Sequence, residues 1–475
     1  MEFLGRQREL GTLRTQYDSP RPVRIRVTGP PGVGKTALLA RSLQGLPHLH
    51  LTCPPLPDPD IRSELHRLIR GTGPEGGDGE VEGTRPGLPD PVPTWRGLIR
   101  TLRRRVARQD RAWVLVLDDA HRLTEARSAV EEALGDGDAP GPPLHLVLAG
   151  RRPGLPKVGP VEAAKPDAED PMPPLELALG PLPFRAVQHR LPGREPEERL
   201  RAYGIFGGWP AHIAATDARM TPITALRRTL LDPDAPLAHR GLALLERALQ
   251  TPARYAALLK VLSRGEAGWG DLHAGVRDLT SSGQVAPYVA RLEAMGWVEV
   301  RRSLDAEPRS RSRRYRILDP FLAFWFRFVL PRLARLGQVD GEALLEEILP
   351  ELDDHMDHVF PAVGRQFMEH DVMEFLAANA RACGSLWGDG YEMPVAGILA
   401  TGVPFYGSTH WSESPRTAFL RRLDEGIRET RYGFGRELRL RVLVARAPFP
   451  RELERAAASR QDTLLVGPRE LAGEA

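Results

Sequence analysis

Eight consecutive residues, Gly29, Pro30, Pro31, Gly32, Val33, Gly34, Lys35 and Thr36, combine three glycines with a lysine and a hydroxyl. That set suits a phosphate group. The glycines let successive backbone N–H groups turn inward as an anion nest, and a helix starting here adds the positive end of its dipole. Lys35 can then reach the outer phosphates and the Thr36 hydroxyl can ligate magnesium. With Ala37, these are the candidate phosphate-contacting residues. A second group lies where the apolar run of residues 113–117 ends in Asp118 and Asp119. In this reading Asp118 holds magnesium, directly or through water, and Asp119 polarises an attacking water. Lys35 and Asp119 are thus the candidate catalytic residues, with Thr36 and Asp118 as the metal ligands. Asp119 must reach about one methylene further than a glutamate would, which points to slow hydrolysis or a nucleotide-gated switch.

Chemistry of this kind needs elements that hold the loop and the acids side by side. Residues 23–28 alternate apolar and basic as a strand, and residues 37–43 have the pattern of a helix, which supplies strand, loop and helix in order. The run at 113–117 is continuously apolar, as expected of a strand buried on both faces of a parallel sheet, with its acids at the carboxyl end. Residues 49–52, 144–150 and 175–182 read as further strands. Residues 71–93 are rich in Gly, Pro and acids and read as a surface insertion, and residues 153–174 as a Pro-rich loop. Residues 95–106 have helical spacing with Arg100, Arg103, Arg104 and Arg105 on one face, a pattern most often simply solvated.

A chain of 475 residues is too long for one core and fits three or four domains. Its 41% hydrophobic and 27% charged residues exclude wholesale disorder. Net charge is only +3 despite a pI near 9.0, so any nucleic-acid affinity must come from local patches. Lysine occupies only four positions in an arginine-dominated chain, so lysine in the loop reflects chemistry rather than composition. Two cysteines, Cys53 and Cys383, are too few and too far apart for a disulfide framework or a metal site and read as buried thiols. The first residues lack the basic-then-apolar layout of a signal peptide, and no apolar run is long enough for a membrane span. A cytoplasmic protein without a membrane partner is expected.

The pattern changes after residue 240. Helices at 255–262, 269–276 and 282–295 precede a hairpin of residues 296–300 and 314–318, which together read as a winged helix. Two roles fit it. In one, Ser282, Gln284, Tyr288 and Arg291 face the major groove of duplex DNA, while Arg301, Arg302, Arg309, Arg311, Arg313 and Arg314 meet phosphates. In the other, the domain packs internally as a switch module. Residues 319–329 form an aromatic helix that reads as core.

Four boxes in order carry a resemblance. They are F-x-G-R-x-x-E-L at residues 3–10, the phosphate loop, L-D-D-A-H at residues 117–121 and G-G-W-P at residues 207–210. The order resembles that of AAA+ and STAND-type ATPases, many of which carry glutamate where Asp119 stands. The D-P-F-x-x-F-W-x-R-F stretch at residues 319–328 resembles the archaeal-type ATPase family, which joins such an ATPase and a winged helix to a domain related to PD-(D/E)XK nucleases. The resemblance implies that Gly5 and Arg6 lie near the adenine, that Pro210 packs against the nucleotide, and that residues 149–152 lie near the γ-phosphate, with Arg151 or Arg152 a sensor or a surface cation. It also implies that the nuclease chemistry is lost. Pro361, Pro394, Ser408 and His410 stand where the family has acids and a lysine, and only Glu392 remains, too little for a hard divalent cation.

The expected fold is therefore α/β: a P-loop ATPase core with a parallel sheet at residues 1–190, a helical lid at 191–239, a winged helix at 240–335 and a degenerate nuclease-like α/β domain at 336–475. The expected function is ATP binding with slow hydrolysis, with magnesium as cofactor and nucleotide state coupled to the C-terminal modules. The alternative is a DNA-binding regulator with a structural nucleotide site. ATP and ADP are the expected ligands. Duplex DNA through the winged helix, self-association and a protein partner are all compatible with the chain.

Overall fold

The structure is a computed structural model that describes residues 3–71, 94–123, 130, 141–150, 174–276, 278–279, 281–307, 310, 312–376 and 378–474. Residues 72–93 and 153–173, together with Arg151, Arg152, Arg309 and Arg311, lie outside the described residues. Two compact units are present, one of residues 6–180 and one of residues 181–475 with residues 3–5.

In the first unit, helix α1 (Gln7–Tyr17) precedes strand β1 (Arg24–Thr28), helix α2 (Lys35–Ser42), strand β2 (His48–Thr52) and helices α3 (Asp58–Gly71) and α4 (Trp95–Val106). Strands β3 (Trp113–Asp118), β4 (Leu144–Gly150) and β5 (Leu175–Ala178) complete a five-stranded sheet of order β2-β3-β4-β1-β5, with every pairing parallel. All seven residues of β4 are buried, His145 included, as a central strand covered on both faces requires. α3 and α4 are amphipathic and set Ile61, Leu65, Leu98, Ile99 and Leu102 against β2 and β3 in one hydrophobic cluster. The result is a P-loop-type α/β fold. β4 lies between the loop-bearing strand β1 and the acid-bearing strand β3, so both carboxyl ends open on the same edge.

In the second unit, helices α5 (Pro196–Phe206), α6 (Pro252–Leu262), α7 (Trp269–Gly275) and α8 (Ala286–Ala294) are followed by the antiparallel pair β6 (Val298–Arg301) and β7 (Arg314–Ile317). Helix α9 (Leu352–His370) then lies on a mixed sheet of β8 (Ala380–Gly388), β9 (Tyr391–Leu399), β10 (Pro404–His410), β11 (Leu440–Ala445) and β12 (Thr463–Val466). β8, β9 and β10 run antiparallel, while β10, β11 and β12 run parallel, joined by α10 (Thr417–Glu429) and α11 (Arg451–Arg460). The fold is α/β in both units. Among the described residues no helix is long and apolar enough to cross a membrane.

Three local expectations are corrected. The helix expected at 282–295 begins as a 3-10 turn, Ser282–Val285, and becomes α-helical only at Ala286, because Pro287 fits the first turn and no later position. The aromatic helix is one α-turn, Pro320–Phe324, followed by a π-segment, Trp325–Val329, and a 3-10 segment, Leu330–Arg335. Phe324, Trp325, Phe326 and Phe328 are all buried, so this stretch is apolar on every side, and Pro331 removes the next amide. Finally, residues 432–445 read from sequence as a strand, but the strand starts only at Leu440, since Gly433 (φ 68°) and Gly435 (φ 79°) turn the chain out of extended geometry.

Candidate nucleotide site

The loop leaves β1 at Thr28 and enters α2 at Lys35. Gly32 (φ 84°) and Gly34 (φ 97°) both hold left-handed conformations that a side chain would oppose. At Gly29 the constraint is space: a Cβ there would stand 2.6 Å from the Leu179 carbonyl oxygen. Gly34 N-caps α2 without any side-chain cap, so the amides of the first helical turn point into the loop. The base of the loop is tied to both neighbouring strands. The Gly29 amide donates to the Gly150 carbonyl (3.2 Å) and the Leu179 amide to the Thr28 carbonyl (2.7 Å).

Lys35 is buried along its stem, and its ammonium donates to the Gly29 and Pro30 carbonyls, each at 3.0 Å. The Thr36 hydroxyl donates to Asp118 Oδ2 at 2.6 Å. Asp118 is only 2% exposed. Burial by itself would raise its carboxyl, but the His50 imidazole, the Thr36 hydroxyl and the Asp119 amide outweigh that and hold it below the ordinary range. The carboxylate is thus charged at neutral pH. A hydroxyl and a carboxylate oxygen meeting in this way form a donor set that fits magnesium, a hard cation that takes few protein oxygens and fills its other positions with phosphate and water.

Asp119 sits on a strained left-handed backbone (φ 53°), an uncommon state for a residue with a side chain. Its carboxylate faces Arg122 at 3.5 Å and His121 at 3.9 Å. Arg6 is fixed by protein partners. Its guanidinium is buried, donating to the Val33 carbonyl (2.8 Å), the Gly180 carbonyl (2.7 Å) and Glu9 (3.1 Å). It therefore braces the phosphate loop from behind. Gly5 and Pro210 belong to the other unit, where Gly5 takes φ 60° against Ala186 and Pro210 opens the short helix Pro210–Ala214.

Two neighbours escaped the sequence reading. His50 stands 3.8 Å from Asp118 Oδ2, and the Cys53 amide donates to the Asp118 carbonyl at 2.8 Å. Both come from the β2–β3 pairing, for which the sequence carries no signal. Burial, reinforced by Asp119 and Asp118, pushes the Cys53 thiol up to about 12, and burial does the same for Cys383. Neither thiol should therefore alkylate in the folded chain at pH 8. Mass spectrometry after iodoacetamide treatment checks this, with labelling expected only once denaturant is added.

In the second unit the residues of the two other readings take definite places. Arg301 is buried and paired with Glu266, and the half-buried Arg314 reaches the exposed Glu392 at 2.5 Å, so two of the hairpin arginines already have carboxylate partners. Tyr288 packs edge-on against Tyr255, with its hydroxyl on Arg254. Arg302, Arg313 and Gln284 are exposed and Arg291 is half-buried, while the Ser282 side chain lies outside the described residues. Pro361 sits inside α9, and the Pro394 carbonyl accepts from Arg365 at 2.6 Å. His410 bonds Ser408 at 2.9 Å and stacks on Phe419, and burial pulls its imidazole down to about 4. Among the described residues no cluster of three or more His, Cys, Asp or Glu side chains could hold a metal.

Comparison with known proteins finds two family matches. Residues 2–148 match the AAA ATPase domain family, and residues 325–416 match the family described as archaea bacterial proteins of unknown function. An uncharacterized protein of Methanocaldococcus jannaschii is 24% identical over 227 residues, which are 47% of this chain and 49% of that one, so the match spans about half the length of that relative. The Walker-type ATPase of Pyrococcus abyssi is similar at 15% identity and a TM-score of 0.45, over 68% of this chain and 96% of that one. A signal transduction ATPase with numerous domains and a tetratricopeptide repeat sensor, from Pyrococcus horikoshii, is similar at 14% identity and a TM-score of 0.29, over 79% of this chain and 51% of that one. Residues 2–148 are thus similar to the AAA ATPase domain family, and residues 325–416 to the archaea bacterial family of unknown function.

Proposed function

We propose that this chain is an ATP-binding switch ATPase that hydrolyses slowly, and that nucleotide state is passed to the C-terminal modules. The observation that carries the reading is the 2.6 Å hydrogen bond of Thr36 to Asp118 at the mouth of a glycine loop whose helix amides are uncapped. Residues 29–37 bind the phosphates, Lys35 neutralises their outer charge, and Thr36 and Asp118 hold magnesium. When bound, the ion draws charge from the phosphate oxygens. Asp119 orients the attacking water, and its short side chain keeps hydrolysis slow. In this proposal the four modules divide at residues 190, 239 and 335, α6 to α8 with the β6–β7 hairpin form the winged helix, and the last module is a nuclease-like fold without nuclease chemistry. The pairing of Arg301 with Glu266 and Arg314 with Glu392 favours internal packing over duplex binding for the winged helix.

Asp118→Asn keeps the shape and removes the charge. It is expected to lower ATP turnover about 100-fold or more, because the variant no longer supplies electrostatic stabilisation to the charge that develops in the reaction. Asp119→Glu is expected to raise turnover, since the longer side chain reaches the water. Phosphate release measures both. Equal turnover in the parent and Asp118→Asn would sink the proposal.

A further inference from the structure

Between α10 and β11 the chain runs Thr430, Arg431, Tyr432, Gly433, Phe434, Gly435, Arg436, Glu437, Leu438 and Arg439. Phe434 is 86% exposed and Leu438 70%, the two most exposed large apolar side chains among the described residues. Exposed apolar groups of this size call for an explanation when the backbone beneath them is held in place. Here it is held. The Thr430 hydroxyl donates to Asp305 (2.6 Å), the Tyr432 amide to the Thr430 hydroxyl (3.1 Å), and the Tyr406 hydroxyl to the Tyr432 carbonyl (2.6 Å). Two turns follow, with the Phe434 amide donating to the Arg431 carbonyl and the Arg436 amide to the Gly433 carbonyl, both at 3.2 Å. Gly433 can take no side chain, since a Cβ there would stand 2.5 Å from the Tyr406 hydroxyl. The ring is thus displayed on a braced tip.

The net charge around it is positive. From residue 428 to residue 439 four arginines stand against two glutamates, and Arg381 on β8 lies close enough to act on the Tyr432 phenol. Arg428, Arg431 and Arg436 are exposed, and among the described residues no carboxylate pairs with them. By contrast, Arg301 and Arg314 of the hairpin are already taken by Glu266 and Glu392. An exposed aromatic face interleaved with unpaired cations suits a strand whose bases are open for stacking and whose phosphates run alongside. A duplex hides those base faces. A lipid surface would favour a continuous apolar tip, whereas Arg436 and Glu437 separate Phe434 from Leu438.

The geometry points to a single-stranded nucleic-acid site on this loop, with Phe434 as the stacking platform and Arg428, Arg431 and Arg436 as the phosphate-binding cations. The site belongs to the second unit and the nucleotide loop to the first, and the site stands or falls without the ATPase reading. The test uses the full chain and fluorescein-labelled 20-mers of oligothymidylate and oligouridylate, followed by anisotropy at about 50 mM salt, where phosphate binding counts most. Phe434→Ala is expected to weaken binding about tenfold, and Phe434→Trp to preserve it. Arg431→Ala with Arg436→Ala is expected to flatten the slope of log affinity against log salt by about 0.7 for each arginine that no longer neutralises a phosphate. The two oligonucleotides separate DNA from RNA as the source of the strand. Four results would overturn the site: no binding by the parent chain, equal binding by Phe434→Ala, Phe434→Leu binding as well as Phe434→Trp, or equally tight binding of a duplex. Phosphatidylserine vesicles form the last arm, and their capture by the parent but not by Phe434→Ala, with oligonucleotide binding unchanged, would assign the loop to a membrane surface instead.

Discussion

Lys35→Ala is expected to lower ATP turnover by about 10² to 10³, the usual cost of removing one preorganised donor from a developing anion. The ammonium is held at the centre of the loop by the Gly29 and Pro30 carbonyls, so it is in place before any phosphate arrives. Charge-assisted hydrogen bonds are worth about 1.5–3 kcal/mol each, and losing one to the phosphates should weaken ATP binding at least about tenfold. The same truncation leaves two loop carbonyls without their donor, so a thermal melt of the first unit belongs beside the calorimetric titration. A parent and a Lys35→Ala variant with equal melting and equal ATP affinity would remove Lys35 from the site. An affinity loss with unchanged melting confirms a direct interaction.

Asp319→Ala is expected to destabilise the second unit by about 2–5 kcal/mol, because it strands two buried amides at once. The Asp319 carboxylate, 1% exposed, accepts from the Gly208 amide (2.9 Å) and the Phe321 amide (3.0 Å), and so ties the G-G-W-P turn to the start of the aromatic stretch. Gly207 fits this arrangement as no other residue would, with φ 69° and space for a Cβ only 2.4 Å from Asp319 Oδ1. Burial carries the Asp319 carboxyl up to about 7, although the amides of Gly208, Leu322 and Phe321 pull the other way. The folded chain therefore holds this proton more tightly than the unfolded chain does. The stability tied to it is fully present below the ordinary carboxylate range and is lost as pH rises through about 7. Urea unfolding at pH 5 and pH 8 checks the sign. The parent should lose stability between the two relative to Asp319→Asn, which cannot titrate, and parallel curves for the two proteins would refute the assignment.

The parts of the candidate site that are legible in the sequence are those made by neighbours along the chain. Glycine at 32 and 34 announces left-handed backbone, and Lys35 and Thr36 follow within the same turn. A run of apolar residues ending in Asp118 identifies a buried strand and the edge on which its acids emerge. Arg6 shows the limit of a box read in isolation. The box marks its position, but the sequence cannot show that its guanidinium is buried against the carbonyls of Val33 and Gly180, since Gly180 is 174 residues away. The hairpin arginines show the same limit from the other side. In the DNA-binding reading six basic residues meet phosphates together, yet Arg301 and Arg314 find Glu266 and Glu392, which no periodicity connects to them.

By itself, then, the sequence determined the glycine loop, the acid-ended strand, the alternation of helix and strand and the α/β class, because backbone preference and apolar period act over a few residues. Tertiary structure alone decided that β4 would slide between β1 and β3, that Thr36 would meet Asp118, that Asp319 would clasp the Gly207–Gly208 turn, and that Phe434 would stand out in solvent. Strand order and burial depend on which distant surfaces exclude water together, and that balance is struck only when the whole unit has packed.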